Sequence, residues 1–560
     1  MNNPSISFKK LPRVLSPLEK RLILIFGIVA VAAGLTWWIM AYWQGTKPAA
    51  APGGSYTEGV LGQPKFINPI IAQPNTVDAD LCSLIYSSLF RYSPRNELEP
   101  ELAADYQLNP DGKEITLTLK PDIKWQDGES LTADDVVFTI QSIQNPSIQS
   151  PLKSAFADVT VEKIDQQTIK FRLAQTYAPF LSNLTFGILP KHLWERIEPA
   201  NMSLAELNLQ PVGSGPYKFK EFKKNKLGEI QSYTLERFPK YFAAAPYLDQ
   251  LVFEFYATSE ELSNGLTSGQ IAGMAFDLNT AEAVYSSQGL NSYQFSLPRY
   301  NAIFLNYAQN KDLEYKKVRQ ALQKAINRDE MQEQALLGQG KLVDSPIMEN
   351  FLGADPEFKY DGFDPETAKK LLEEAGWKET DAEGYRLKDG QRLVLTLTVS
   401  DFPEHLMVAD YVVNAWKNIG VEAKTESFSP ADIQERIRNR TYDALLFGQV
   451  TGHDPDPYPF WHSSQREDPG LNLTALKDGD IDKLLEEGRT TIDSTVRAEK
   501  YRSFQQKLAE NYVAIFLYSP YYNYTADQKI KGLNPGIITN PAERFSDIEN
   551  WYSKTKRVAK

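Results

Sequence analysis

The sequence has few of the residues that build metal sites and nucleophilic sites. Its 560 residues include one cysteine, Cys82, and four histidines, at positions 192, 405, 453 and 462. A single cysteine excludes an intrachain disulfide and any zinc site made from cysteines. Four scattered histidines disfavour a histidine-rich metal site. We therefore expect neither a bound metal nor a cofactor.

The charge of the chain is uneven. The formal net charge is −12, yet residues 1–21 carry five basic side chains against Glu19 alone. These residues contribute +4, so the remaining chain carries −16. A body this acidic should repel nucleic acid, which we exclude as a partner. The length predicts two or three domains, and an apolar content of 42% is ample for folding.

One long uncharged run stands near the N-terminus. Leu22 to Trp43 reads LILIFGIVAVAAGLTWWIMAYW, roughly 33 Å as a helix and long enough to cross a bilayer. Basic residues precede the run and aromatic rings gather at its far end, which predicts a cytoplasmic tail (1–21), a single-pass anchor (22–43) and an exported body. A cleaved signal peptide is the alternative, because Lys47–Ala51 (KPAAA) offers small residues for cleavage. Residues 44–55, rich in Pro, Ala and Gly, predict a flexible linker.

The stretch from Ile85 to Phe138 holds no nucleophile–base pair and no cluster of metal ligands. Glu114–Lys120 (EITLTLK) alternates apolar and polar residues, as a half-buried strand does. Turn signals flank it. Thr132 can then cap a helix with Asp135 three residues further on, close to a capping box.

This stretch, with its run KWQDGESLTADDVVF, resembles the family 5 extracellular solute-binding proteins of ABC importers, which include dipeptide- and oligopeptide-binding proteins. Two further segments share the resemblance: Phe66–Ile70 is similar to the early "LNP" segment, and Val212–Phe219 is similar to the "GTGPYKF" element. The resemblance extends over nearly all of residues 55–552. It implies a monomeric protein that captures solutes for ABC permease subunits and does no chemistry.

Strands and helices alternate along the body, so the fold class is mixed α/β. The resemblance implies a two-lobed clamshell of the periplasmic-binding-protein type, with an extra subdomain. Lobe I is then discontinuous, from residues 56–276 and 511–552, and carries the subdomain at about 90–208. Lobe II spans 277–510.

The loop Phe447–Trp461 is the sharpest candidate for function. It follows a predicted strand, three prolines stiffen it, and Asp454 and Asp456 stand two residues apart. In the resembled family a similar loop faces the cleft, where an acid meets the α-ammonium of a peptide. Gln449 replaces a frequent family Trp, and His453 stands near the usual first Asp, so either acid fits that role. The alternative is that the acids only cap a turn or the following helix.

Further ligand-binding candidates lie around these acids. Thr451 and Tyr458 belong to the same loop, and Arg299, Tyr300 and Asn301 precede or open a predicted strand that either reaches the cleft or forms a plain surface turn. We expect short peptides to bind in the cleft through backbone hydrogen bonds. The alternatives are an oligosaccharide or a chelated metal in the same scaffold, and a surface hydrolase that uses Asp454 and Asp456 as paired carboxylates.

Overall fold

The computed structural model describes residues 16–72, 75–277, 280–358 and 360–560. The α-helices of the described residues are, in chain order, α1 (Pro17–Gly45), α2 (Thr76–Ile85), α3 (Ala133–Gln144), α4 (Lys153–Phe156), α5 (Lys191–Trp194), α6 (Ser259–Thr267), α7 (Ala281–Ser286), α8 (Lys316–Lys324), α9 (Arg328–Gln334), α10 (Pro365–Glu374), α11 (Pro403–Lys417), α12 (Pro430–Asn439), α13 (Tyr458–Trp461), α14 (Gly479–Thr490) and α15 (Ser494–Asn511).

The strands of the same residues are β1 (Thr46–Ala51), β2 (Ser55–Leu61), β3 (Phe90–Tyr92), β4 (Leu98–Pro100), β5 (Ala103–Leu108), β6 (Glu114–Leu119), β7 (Val159–Lys163), β8 (Thr168–Leu173), β9 (Tyr217–Lys224), β10 (Ile230–Arg237), β11 (Gln250–Tyr256), β12 (Gly273–Phe276), β13 (Leu290–Ser296), β14 (Arg299–Leu305), β15 (Lys341–Leu342), β16 (Glu379–Thr380), β17 (Arg386–Lys388), β18 (Gln391–Arg392), β19 (Val394–Ser400), β20 (Glu422–Phe428), β21 (Ala444–Val450), β22 (Ala514–Ser519), β23 (Tyr521–Asp527) and β24 (Lys554–Ala559).

Lobe I is built on a seven-stranded mixed sheet with the order β13-β23-β12-β2-β11-β10-β9. The early strand β2 runs parallel to β11 and β12, and the late strand β23 pairs antiparallel with β12 and β13. The lobe therefore combines the N-terminal part of the body with a return of the C-terminal part. A four-stranded sheet, β5-β6-β8-β7, forms the subdomain beside it. One continuous hydrophobic core includes residues of both sheets, such as Leu251 and Leu117.

The motifs that carry the family resemblance meet in lobe I. The side-chain amide of Gln126 donates to the carbonyls of Ile85, Gly215 and Tyr217 at 3.1, 3.2 and 2.8 Å, and its oxygen accepts from the N–H of Gly213 at 2.9 Å. A Cβ at Gly213 would lie 1.9 Å from the Ile85 carbonyl oxygen, so the close approach of the two backbones requires glycine. The KWQDG and VGSGPYKF segments thus form one hydrogen-bonded junction.

Helix α3 begins as the sequence predicts. Asp135 accepts from the backbone N–H of Thr132 at 2.8 Å, which completes the capping box. The same carboxylate accepts from the N–H of Lys191 at 2.8 Å, so this local cap also holds the start of α5.

Lobe II is built on a six-stranded sheet with the order β15-β22-β14-β21-β19-β20. Strand β19 runs parallel to both β20 and β21, whereas β14 is antiparallel to β21 and β22. Separate hydrophobic cores cover the two faces of this sheet: α8, α10 and α11 lie over one, and α14 and α15 over the other. The chain passes from β19 to β20 on one side and then to β21 on the other, so the strand order reverses beside β19.

The chain crosses between the two large sheets at two short connections. Strand β13 lies in the lobe I sheet and β14 in the lobe II sheet, with Pro298 between them. On the return, β22 lies in lobe II and β23 in lobe I, with Pro520 between them. These crossings come later than the expected boundaries at 276/277 and 510/511. The local sequence does not reveal which of the two sheets β13 and β22 join.

The N-terminal region differs from the expected linker. Helix α1 is exposed throughout, and it is the one helix of the described residues whose length and composition suit a membrane crossing, with a mean hydropathy of 2.4 over an 18-residue stretch. Directly after it, β1 pairs antiparallel with β24 from Thr46↔Ala559 to Ala51↔Lys554. Residues 46–51 are therefore paired strand. Composition predicts flexibility for an isolated segment. The strand that orders residues 46–51 lies about 500 residues further along the chain, so local composition does not reveal the pairing.

Candidate ligand-binding site

A cavity of about 470 Å³ lies where lobe I faces lobe II. Most of its wall comes from lobe I, including Cys82, Tyr86, Glu101 and Tyr241. Lobe II contributes Val450, the last residue of β21. The volume falls within the range of pockets that hold small ligands.

The charged groups on the lobe I side of the cavity are already engaged. Glu101 accepts from the backbone N–H and the hydroxyl of Ser88 at 2.8 and 2.6 Å, and burial raises the pKa of its carboxyl group. Arg91 donates to Glu549 at 3.0 Å. This wall therefore presents an apolar surface with internally satisfied polar groups.

On the lobe II side, β14 and β21 bring four of the predicted residues together. Arg299 lies opposite Val450, Tyr300 opposite Gln449, and Asn301 opposite Gly448. This edge also holds the carboxyl ends of β19 and β21, where the strand order reverses. In open α/β sheets, ligands bind in the crevice outside such a reversal. The predicted strand residues thus lie where this class of sheet places its ligands.

Tyr300 and Gln449 are buried and bonded to each other. The Tyr300 hydroxyl donates to Gln449 Oε1 at 2.5 Å, and Gln449 Nε2 donates to the carbonyl of Leu471 at 3.2 Å. Thr451 donates from both its backbone N–H and its hydroxyl to the carbonyl of Pro298, at 2.8 and 3.1 Å. These three predicted residues support the strand ends and the crossing beside Pro298.

Asn301 and Arg299 have fewer hydrogen-bond and ion-pair partners than these three residues. Asn301 is 0% exposed, and neither its amide nitrogen nor its amide oxygen has a hydrogen-bond partner among the described residues. Arg299 is half-buried and forms no ion pair within the described part of the chain. A Cβ at Gly448 would lie 2.6 Å from Arg299 Nε and 2.7 Å from Asn301 Oδ1, so glycine leaves both groups their space. Buried polar groups without partners are costly, so Asn301 is a polar side chain that the described residues leave unsatisfied.

A polar cluster at the start of α11 adjoins Arg299. The hydroxyl of Ser400 lies 2.6 Å from His405 Nδ1, and the Tyr518 hydroxyl donates to Glu404 at 2.5 Å. Burial, with a smaller contribution from Arg299, lowers the pKa of His405 to about 4. His405 is therefore neutral at physiological pH.

Both acids of the 447–461 loop are paired with arginines of lobe II. Arg497 donates to both oxygens of Asp454, at 2.5 and 2.8 Å. Arg489 donates to Asp456 Oδ2 at 2.6 Å through Nη2, and the Tyr177 hydroxyl of the subdomain donates to the same oxygen at 3.2 Å. A ligand ammonium would thus meet carboxylates that are already neutralised. The arginines stand 43 and 33 residues further along the chain, without a local pattern that links them to the acids.

Tyr458, the remaining predicted residue, opens α13 and points toward its own helix. Its ring stacks on His462 with centroids 4.1 Å apart, and the guanidinium of Arg489 lies 4.1 Å above it. These contacts place Tyr458 in the shell that supports Asp456.

His453 of this loop contacts lobe I through both ring nitrogens and one face of its ring. Its Nδ1 lies 2.6 Å from Asn96 Oδ1, its Nε2 lies 2.8 Å from Glu543 Oε2, and its ring stacks on Tyr92 at 3.8 Å. The sequence marks the position only as a departure from an acid. The contacts across the cleft depend on segments about 90 and 360 residues away.

Metal binding has no obvious protein ligands here. Across residues 16–72, 75–277, 280–358 and 360–560, no group of three or more His, Cys, Asp or Glu side chains is arranged to hold a metal ion.

Two lobes, two crossings and a cavity between the lobes define a solute-binding protein of the periplasmic type. The model of the bacterial extracellular solute-binding proteins, family 5, matches residues 97–470. The chain belongs to this family, whose members serve ABC transporters outside the cytoplasm.

The relatives bind different solutes. The chain is 29% identical over 524 residues to the oligopeptide-binding protein AppA of Bacillus subtilis, which covers 90% of this chain and 93% of that protein. The structure of AppA with a nonapeptide gives a TM-score of 0.68 over 90% and 99% of the two chains. CtaP of Listeria monocytogenes, an ABC transporter substrate-binding protein, gives 0.78 at 28% identity over 90% and 100%. NikZ of Campylobacter jejuni with Ni(L-His) gives 0.71 at 25% identity over 89% and 99%.

Proposed function

We propose that this protein captures short peptides outside the membrane and presents them to the permease subunits of an ABC importer. The observation that carries the proposal is the cavity between the lobes, which on the lobe II side reaches Val450, the strand partner of Arg299. The similarity to a protein solved with a nonapeptide supports a peptide as the guest. The two lobes close on the ligand, and the closed shape is what the permease recognises.

The ligand-binding residues form two groups in this proposal. Arg299 contacts the ligand and binds a carboxylate of the peptide, and the buried Asn301 lies close to it on the same strand. Tyr300, Gln449 and Thr451 hold the strand ends at which this contact is made. Asp454, Asp456 and Tyr458 fix the loop through Arg497 and Arg489, and they act on ligand through the position of that loop. Both acids are engaged by guanidinium groups, which also argues against a hydrolase built on them.

The anchor is part of the same proposal. Helix α1 stays attached and crosses the membrane once, since its uncharged run from Leu22 to Trp43 is longer than the apolar core of a signal peptide. Mass spectrometry of the mature N-terminus tests this point. A chain that begins near residue 1 supports the anchor, and a chain that begins near residue 50 shows a cleaved signal.

Native mass spectrometry tests the ligand class. The purified protein is incubated with a synthetic library of tri- to nonapeptides and, separately, with Ni(L-His). Retention of library members supports the peptide proposal. Retention of Ni(L-His) alone supports the second candidate, a chelated metal, which the similarity to NikZ favours. The carboxylate of a chelating amino acid would suit Arg299 as well.

The variant Arg299→Gln tests the proposed carboxylate contact. Hydrogen bonds to charged groups contribute about 1.5–3 kcal/mol, so we expect affinity for a retained peptide to fall by roughly 10- to 100-fold. The same substitution should change the affinity for the C-terminally amidated form of the peptide little. Arg438→Gln is the matched control, because Arg438 is an exposed arginine of the same lobe. Equal losses of affinity for the free-acid peptide and for its amide would contradict the proposed contact between Arg299 and the carboxylate.

A further inference from the structure

One face of helix α2 borders the cavity between the lobes. Ala79, Cys82, Ser83 and Tyr86 all line the cavity. Their positions follow the spacing i, i+3, i+4 and i+7, so they share one side of the helix and its C-terminal cap. The first three side chains are small and do not fill the space in front of the helix. We refer to this part of the cavity as the α2 pocket.

Aromatic rings of lobe I and an exposed valine of lobe II also line the cavity. Phe186 and Phe545 are 7% and 3% exposed, and Val450 is 50% exposed. The core fixes both rings: Phe186 packs edge-on against Phe156 with centroids 5.4 Å apart, and Phe545 packs against Trp551 at 5.7 Å. Aromatic pairs favour such edge and offset contacts, so these rings offer the same contact to a further ring.

The polar atoms of the α2 pocket have partners inside the protein. The Tyr86 hydroxyl donates to the carbonyl of Ile67 at 3.4 Å, and the Ser83 hydroxyl donates to the carbonyl of Asp80 at 2.8 Å. Burial raises the pKa of the Cys82 thiol well above its ordinary value, so the thiol stays uncharged. A guest group that enters along α2 therefore meets a mainly apolar surface, and burial of apolar area favours its binding.

The size of the cavity suits a large side chain. An apolar cavity of about 150 Å³ already holds benzene, and this cavity has about 470 Å³. Val450 at the cavity is the strand partner of Arg299. The cavity thus adjoins the proposed carboxylate contact, and one guest that carries both a carboxylate and an apolar side chain would reach both places.

We propose that the α2 pocket determines the specificity of the receptor by taking one large apolar side chain, preferably aromatic, of the bound peptide. The short side chains of Ala79, Cys82 and Ser83 provide the room, and the rings of Tyr86, Phe186 and Phe545 provide the contact. This inference rests on the proposed function, because it requires a peptide as the guest.

Isothermal titration calorimetry of the full chain in detergent tests the preference. The probes are pentaalanine, the pentapeptides in which one phenylalanine replaces each alanine in turn, and the corresponding glutamine peptides. Because burial of a phenylalanine side chain favours binding, at least one phenylalanine peptide should bind about 10- to 100-fold more tightly than pentaalanine. Its glutamine counterpart should stay within about threefold of pentaalanine.

Variants that fill the pocket test its location. Ala79 is half-buried on α2, so Ala79→Leu places a larger side chain in the pocket and keeps a residue that favours helix. It should bring the affinity for the phenylalanine peptide down to that for pentaalanine, whose own affinity should change by less than about threefold. Cys82→Leu, on the same face, should act in the same direction. Ala155→Leu is the matched control, because Ala155 is exposed on α4 and lies outside the cavity.

The outcomes separate this inference from the proposed function. If all the peptides bind but phenylalanine gives no gain over alanine or glutamine, the pocket has no such role and the peptide receptor stands. A gain that persists in both Ala79→Leu and Cys82→Leu, or that is lost equally in Ala155→Leu, would also overturn the role of the α2 pocket. If none of the peptides binds while Ni(L-His) does, both proposals fail.

Discussion

The variant Asp454→Asn separates a structural role of the acidic loop from a role in ligand binding. Arg497 is nearly inaccessible, with 4% of its side chain exposed, and Asp454 is its charged partner. Their contact has the bidentate geometry that favours guanidinium–carboxylate pairs. Substituting the amide leaves the buried guanidinium without a counter-charge, while the shape of the side chain is kept.

The stability that Asp454→Asn should cost follows from how deeply the Asp454–Arg497 pair is buried. Breaking a buried ion pair by removing one partner costs about 3–5 kcal/mol. Because 19% of the Asp454 side chain remains exposed, we take the lower end, about 3 kcal/mol. For a unit the size of lobe II, each kcal/mol lowers the melting temperature by about 2–4 °C. We therefore expect its transition to fall by about 6–12 °C without ligand.

Differential scanning calorimetry of the ligand-free protein measures this loss, and the lobe I transition serves as an internal reference. Asp480→Asn is the matched control, because Asp480 pairs with Lys507 at 2.7 Å but is 71% exposed. Exposed pairs contribute little, so this change should stay within about 0.5 kcal/mol. A double-mutant cycle with Arg497→Met should recover part of the loss.

The opposite pattern would refute the structural interpretation. If Asp454→Asn leaves the melting temperature unchanged but lowers affinity for a peptide with a free amino end, and not for its N-acetylated form, then the acid is an ammonium anchor.

Two more predictions concern lobe I and the N-terminal region. Burial raises the pKa of Asp547 to about 6 from its ordinary 3.8, so its contribution to stability is present at low pH and is lost as pH rises through about 6. Asp547→Asn, whose amide oxygen can accept from Trp551 Nε1 and whose amide nitrogen can donate to the Asn534 oxygen once the Asn534 amide is turned over, should therefore raise the melting temperature of lobe I at pH 7.5 but not at pH 4; equal shifts at both pH values would contradict this. Deleting residues 554–560 removes β24 and should expose residues 46–54 to limited proteolysis; an unchanged cleavage rate would show that the pairing does not protect β1.

The fold could be predicted where the signal is local. Strand β6 (Glu114–Leu119) lies where alternation predicts a half-buried strand, Glu114–Lys120. Helix α3 has the capping box expected at Thr132, since Asp135 accepts from the N–H of Thr132 at 2.8 Å. Such elements are determined by side-chain period and by caps within a few residues.

The site could be predicted only in part, because its chemistry depends on distant partners. The sequence singled out Arg299, Asn301 and the acids of the 447–461 loop. It could not show that distant arginines neutralise both acids, or that Asn301 lacks a partner while Gln449 has two. Such pairings are set by the tertiary fold, and neither periodicity nor composition records them.

The pairing of β1 with β24 has a mechanical consequence. Arg557 of β24 donates to the carbonyls of Trp43 and Thr46 at 3.0 and 2.9 Å, so the last residues of the protein grip the end of α1. If α1 remains in the bilayer, a short and stiff connection, the paired strand β1, joins the body to the membrane. Its six paired residues span about 20 Å. A loose tether of twelve residues could reach roughly 40 Å. The paired strand would restrict rotation of the body and hold the opening of the cleft at a nearly constant height above the lipid.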